Sequence, residues 1–187
     1  MSRQELSPVG KVSYDGALAT LVFQRVLPHP AEAVWQALTD PKQLSSWYMM
    51  RASVDGRRGG SIDFSGGPGD FHITGRILQW DPPFVLEYEW KIDPRQGMPN
   101  GEDAVVRWEL IRDGANTLLT LTHKNVTRPT ASGIAPAMHV LLDRLASKLD
   151  GRPMPDMNQR FAEVQANYPG GRTLPSPVSS FHRKSRY

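Results

Sequence analysis

The chain has 187 residues, 39% of them hydrophobic, and no cysteine. That is the length of one domain with a sizeable core, and the missing cysteines exclude disulfides, thiol chemistry and the commonest zinc ligands. The formal net charge is +3, but residues 169–187 hold Arg172, Arg183, Lys184 and Arg186 without an acidic residue, so the remainder is nearly neutral and a whole-domain nucleic-acid function is not expected.

The first ten residues, MSRQELSPVG, contain no apolar core. No run approaches the roughly 18 apolar residues of a membrane helix. The expectation is a cytoplasmic protein with neither secretory signal nor membrane contact. Val12–Tyr14 and Ala17–Leu27 flank Asp15-Gly16, a favoured two-residue turn, and predict a hairpin. His29-Pro30 then opens a helix, PAEAVWQALTD, with Glu32 in its first turn and Val34, Trp35 and Leu38 on its inner face. Asp40-Pro41 caps a second short helix, PKQLSSW, anchored by Leu44 and Trp47.

Strands follow. Gly60–Ser65 pairs with Phe71–Trp80 across GGPGD. Within Phe71–Trp80 the apolar parity changes between Ile73 and Leu78, which predicts a bulge near Gly75. Val85–Ile92, Ala104–Arg112 and Thr117–Lys124 alternate apolar with polar residues, as in an antiparallel sheet with one covered face. Ala131–Gly151 carries Ile134, Met138, Leu141, Leu142, Leu145 and Leu149 at helical spacing. This long helix is the expected cover of the sheet. Pro136 is placed in its first turn, where a missing N–H costs little, and Asp150-Gly151 ends it. Asp156–Tyr168 predicts one more short helix, and the Gly-, Pro- and Ser-rich residues from Pro169 a flexible basic tail. The domain is thus expected to span residues 1–168.

No nucleophile elbow, phosphate loop or zinc-protease motif is present, and neither His nor carboxylates cluster at ligand spacing. No metal, cofactor or catalytic residue is therefore expected. His123 shares a strand face with Leu119 and Leu121 and should point under the long helix. Such a residue is either a satisfied core histidine or a polar group that orients a ligand in an apolar pocket. His139 lies on the border of the helix stripe, either packed at the sheet edge or beside a guest. Trp47, Tyr48, Phe64, Trp80, Tyr88, Trp90 and Trp108 make either a plain core or the wall of a cavity. Spacing does not separate these alternatives, because cavity volume depends on sheet curvature.

Four stretches together resemble the bacterial homologues of the heat-shock-protein-90 ATPase activator, in the START-like SRPBCC superfamily. They are LVFQRVLPHPAEAVWQALTDPKQLSSWY, GRILQWDPPFVLEYEW, VRWELIRDGANTLLTLTH and MHVLLDRLASKLDGRPMP. The resemblance implies an α+β helix-grip fold: two short helices after the first long strand, and a curved antiparallel sheet wrapped around the long helix with a cavity between. The superfamily includes binders of apolar small molecules, cyclases and a co-chaperone domain. No stretch here matches the separate N-terminal domain of the eukaryotic activator, so a full co-chaperone role is not expected. Met138 stands where related sequences tend to carry Trp, before the histidine matched by His139. The family has no agreed catalytic set to carry over.

These readings converge on a domain that binds a small hydrophobic or aromatic molecule, without a cofactor, between sheet and helix. The candidate ligand-binding residues are Trp47, Tyr48, Phe64, Trp80, Tyr88, Trp90, Trp108, His123, Met138, His139 and Leu142. A void of about 300 Å³ or more is expected beneath the helix. A chaperone-regulator-like protein-interaction module, tied to the stress response, is the alternative that needs no void. A cyclase-type enzyme using the same pocket is the third.

Overall fold

The computed structural model describes residues 6–67 and 70–169. One antiparallel sheet of eight strands runs in the order β1-β2-β8-β7-β6-β5-β4-β3. Strand β1 (Lys11–Asp15) forms a hairpin with β2 (Leu18–Leu27) through Gly16. Helices α1 (Ala31–Thr39) and α2 (Pro41–Trp47) follow, then β3 (Arg51–Val54), β4 (Ser61–Gly66), β5 (Phe71–Asp81), β6 (Val85–Ile92), β7 (Glu102–Asp113) and β8 (Asn116–Thr127). The long helix α3 (Arg128–Leu149) and the short α4 (Met157–Val164) complete the chain, with a 3₁₀ turn at Gln165–Asn167. The expected tail lies outside the described residues from position 170 onward.

The short helices form as their sequences direct. Val34, Trp35 and Leu38 are the buried side of α1. Asp40 caps α2, its carboxylate accepting from the Gln43 N–H at 2.9 Å, and Asp156 caps α4 in the same way through Gln159. Alternation sets the sheet. Leu86, Tyr88, Trp90 and Ile92 of β6 are buried, while Glu87 and Glu89 face outward. On that outer face Arg107 donates to Gln79 at 2.9 Å and to Glu87 and Glu109 at 3.1 Å, so the polar side of the sheet is laced by charge.

Four features differ from the sequence expectations. Helix α3 begins at Arg128, with Pro129 in its first turn, so Pro136 lies inside the helix. The ring of Pro136 is buried there, and the apolar burial it contributes offsets the backbone hydrogen bond it forfeits. The bulge in β5 falls between Ile77 and Gln79 rather than near Gly75, and it brings Trp80 opposite Leu86. Gly75 has another role: a Cβ there would lie 1.8 Å from the Glu89 carbonyl oxygen. Strand β3 is an edge strand that the sequence does not announce; its four residues alternate, with Ala52 and Val54 half-buried, but the run is too short to stand out. Finally, α3 does not cover the sheet alone. Its backbone approaches β2 and β8, while α1 lies over β7 and β8 and α2 beside β3.

Nearly all buried apolar residues belong to one cluster between the sheet and the helices. A small satellite of Val140, Phe161 and Val164 fixes α4 to α3. No helix among the described residues is long and apolar enough to cross a membrane.

Candidate functional site

On the inner face of the sheet, aromatic side chains of β4, β6 and β7 pack together within the core. Tyr48, at the end of α2, meets Phe64 of β4 edge-on at 5.6 Å between ring centroids. Phe64 meets Tyr88 of β6 in the same way at 5.9 Å. Trp90 follows Tyr88 by two residues and so shares its face; its ring stands edge-on to His123 of β8 at 4.8 Å. The Trp108 indole N–H of β7 donates to the Tyr88 hydroxyl at 3.4 Å. Six of the sequence candidates therefore form one contiguous group: Tyr48, Phe64, Tyr88, Trp90, Trp108 and His123.

His123 is the anomaly in this group. It is 0% exposed, and neither ring nitrogen has a hydrogen-bond partner. The Trp90 indole nitrogen beside it is unpartnered as well. Buried polar groups are nearly always satisfied, and each one left orphaned costs about 1–3 kcal/mol. Burial alone lowers the His123 pKa to about 3, so the ring is neutral. It then offers one donor and one acceptor. Burial also pushes the Tyr48 hydroxyl up to about 12 and the Tyr88 hydroxyl well above its ordinary value.

The other candidates sit around this group. Trp47 packs on Tyr48 at 5.3 Å, and its indole N–H is used by the Ala37 carbonyl at 2.9 Å. Met138 and Leu142 are buried on α3 in the same core. Trp80 packs on Trp35 of α1 at 5.1 Å and lies against Gly56, so it joins a separate pair. His139 Nδ1 lies 2.8 Å from the Tyr168 hydroxyl, while Nε2, 3.7 Å from Asp143, makes no hydrogen bond. Asp143 in turn binds Arg160 at 2.9 Å and faces Arg25 at 3.7 Å. Sequence reasoning missed Tyr168, Arg25 and Asp143, since no local pattern announces contacts made across the fold.

A depression of about 220 Å³ opens between α2, α3 and the start of α4 and reaches Trp47 and Tyr48. Its walls are α2, α3 and the approach to α4, so it is not the void expected between α3 and the sheet. Its lip is Met49 and Met50, the latter 72% exposed. Gly66 and Gly67 both have positive φ and let the two methionines close in; a Cβ on Gly66 would lie 2.8 Å from that of Met50. Among the described residues no three His, Asp or Glu side chains converge as a metal set.

A long helix gripped by a curved antiparallel sheet of eight strands is the helix-grip α+β fold. The family described as "Activator of Hsp90 ATPase homolog 1-like protein" matches residues 28–150, and the chain belongs to it. Among solved structures, CalU16 from Micromonospora echinospora superposes with a TM-score of 0.68 at 23% identity, over 88% of this chain and 96% of that one. Protein MLL2253 from Mesorhizobium loti gives 0.64 at 23% identity, over 72% and 98%. EF2215 from Enterococcus faecalis, a conserved protein of unknown function, gives 0.65 at 16% identity, over 88% and 92%. At such identities these likenesses show a shared fold alone. No curated protein matches the sequence.

Proposed function

We propose that this domain binds a small, largely apolar molecule in the interior between its curved sheet and α3, with Tyr48, Phe64, Tyr88, Trp90, Trp108 and His123 as its surroundings. The observation that carries the reading is the His123 ring, fully buried and without a partner on either nitrogen. A protein that needed only a core would gain stability by placing a leucine there. Retaining an imidazole beside an equally orphaned indole makes sense where a guest completes their hydrogen bonds. The depression beside Tyr48 is the way in, and its methionine lip is the most adaptable material for an opening smaller than its guest. Catalysis is not part of the reading: a histidine this hard to protonate is a poor general base.

The test uses His123→Leu and an aromatic compound set, read by melting temperature. The variant is expected to melt about 2–8 °C higher than the wild type when unliganded, as removal of an orphaned polar group implies. Compounds that raise the wild-type melting point should raise the variant's less. No compound shifting the wild type, together with a variant no more stable than it, would overturn the proposal.

A further inference from the structure

The depression between α2, α3 and the approach to α4 holds a fixed cation in an apolar setting. Most of its lining is apolar: Trp47, Tyr48, Met49, Met50, Leu141 and Met157. Arg144 of α3 stands among them, half-buried. Its Nε donates to the Trp47 carbonyl at the end of α2 at 3.2 Å, and its Nη1 to the Pro155 carbonyl before α4 at 2.8 Å. Those two bonds, made to two different elements, hold the guanidinium plane still. A guanidinium has five N–H donors, so three remain unspent. They include the Nη1–Nη2 pair that grips a carboxylate with two parallel hydrogen bonds. Among the described residues no carboxylate forms an ion pair with Arg144. Asp156 also lines the depression, but it is exposed and its carboxylate already accepts from the Gln159 N–H. Water screens an exposed charge more than a half-buried one, so Arg144 sets the field inside. Ser45 and Ser46 add no donor, since their hydroxyls give to the Pro41 and Gln43 carbonyls, at 2.8 and 2.6 Å.

We infer that this depression is a binding site for a small carboxylate with an apolar body, the carboxylate on Arg144 and the body against Trp47 and the methionines. Its volume of about 220 Å³ is that of about seven waters at ~30 Å³ each. The ligand is therefore smaller than the drug-sized guests that fill about 300 Å³ or more. A single cation matches a single negative charge, and a phosphate dianion would keep one charge unpaired beside apolar walls. Met49 and Met50 adapt to the shape of the body, while the head group meets an arginine that is already held. The site lies outside the space between sheet and α3, and it stands whether or not that interior takes a guest.

Three probes that share one body separate the outcomes: 3-phenylpropionate, its carboxamide and 3-phenylpropylamine, each titrated into the full chain at neutral pH. Binding is read by NMR from the methyl signals of Met49, Met50 and Met157 and from the Arg144 Nε–H. The carboxylate should bind about tenfold more tightly than the carboxamide, as charge-assisted hydrogen bonds do over neutral ones, and the amine more weakly than either. Arg144→Gln should bring the carboxylate down to the affinity of the carboxamide. Asp156→Asn keeps a capping side chain at α4 and removes the opposing charge, so it should bind the carboxylate about twofold more tightly. If Arg144→Gln does not fold, the three probes on the wild type and on Asp156→Asn still decide. Equal affinity for carboxylate and carboxamide would overturn the inference. So would a carboxylate that moves the Trp90 and His123 signals and none of the methionine methyls, which would place it in the interior instead. A carboxylate that moves neither set overturns it as well and leaves the interior role to its own test.

Discussion

A histidine that is easier to bury neutral than charged makes a protein sensitive to acid. The His123 pKa falls to about 3 on burial, against an ordinary value of 6.5. The folded chain therefore binds fewer protons than the unfolded chain between those values, and its stability is complete above pH 6.5 and lost as pH falls toward 3. One proton is worth about 1.4 kcal/mol per pH unit over that window. His139 is also lowered, first by burial, and adds in the same direction. Denaturant melts at pH 7 and 4.5 should show the wild type losing about 2–3 kcal/mol more than His123→Leu. Equal losses would mean that the ring finds a partner on protonation. The inward aim of His123 was legible in the alternation of Leu119, Leu121 and His123. The partner of His139 was not, because Tyr168 lies 29 residues further along and reaches back only once α4 has docked.

At the level of elements, the start of α3 is the informative case. Periodicity places it at Ala131, with Pro136 in a first turn. The helix instead gains a turn at Arg128 because its end is held from outside. Glu102, buried at the start of β7, accepts from the Thr127 N–H and from the Thr127 hydroxyl, each at 2.8 Å. A carboxylate at a helix N-terminus is favoured by the helix dipole as well. Such an anchor joins residues from two elements and leaves no mark on either local pattern. Glu102→Ala should cost about 1–3 kcal/mol by stranding those donors, with Glu102→Gln milder. Hydrogen exchange in the first turn of α3 should quicken more than exchange near Leu145. Uniform acceleration along the helix would argue that Glu102 supports the whole fold and not that end.

On the scale of the molecule, the alternating strands and the quoted stretches made the architecture legible, since β4, β6 and β8 bury alternate residues. What stayed hidden is how the two ends of the domain are tied. The Tyr168 hydroxyl accepts from the Gly10 N–H at 2.9 Å and lies 2.8 Å from His139 Nδ1. With the hydroxyl oxygen occupied by Gly10, its proton goes to Nδ1, which fixes the neutral His139 with its other N–H turned toward Asp143. Tyr168 also packs on Phe23, at 6.2 Å between centroids. Phe23 in turn fills the place where a side chain on Gly10 would be, since a Cβ there would meet its ring at 2.2 Å. A segment before β1, a ring in β2, a histidine in α3 and a residue beyond α4 thus form one clasp around the covered side of the sheet. Tyr168→Phe keeps the ring and removes the two hydrogen bonds, so it should cost about 1–3 kcal/mol and speed exchange of the Gly10 amide, while exchange in β6 and β7, at the far side of the core, follows only the global loss. Gly10→Ala should cost about as much by displacing Phe23, and the two changes together should cost less than their sum, because each loosens the same clasp. Strict additivity of the pair in denaturant melts would show that the clasp is two independent contacts, and would remove the physical link between the ends of the domain and the helix that closes over its interior.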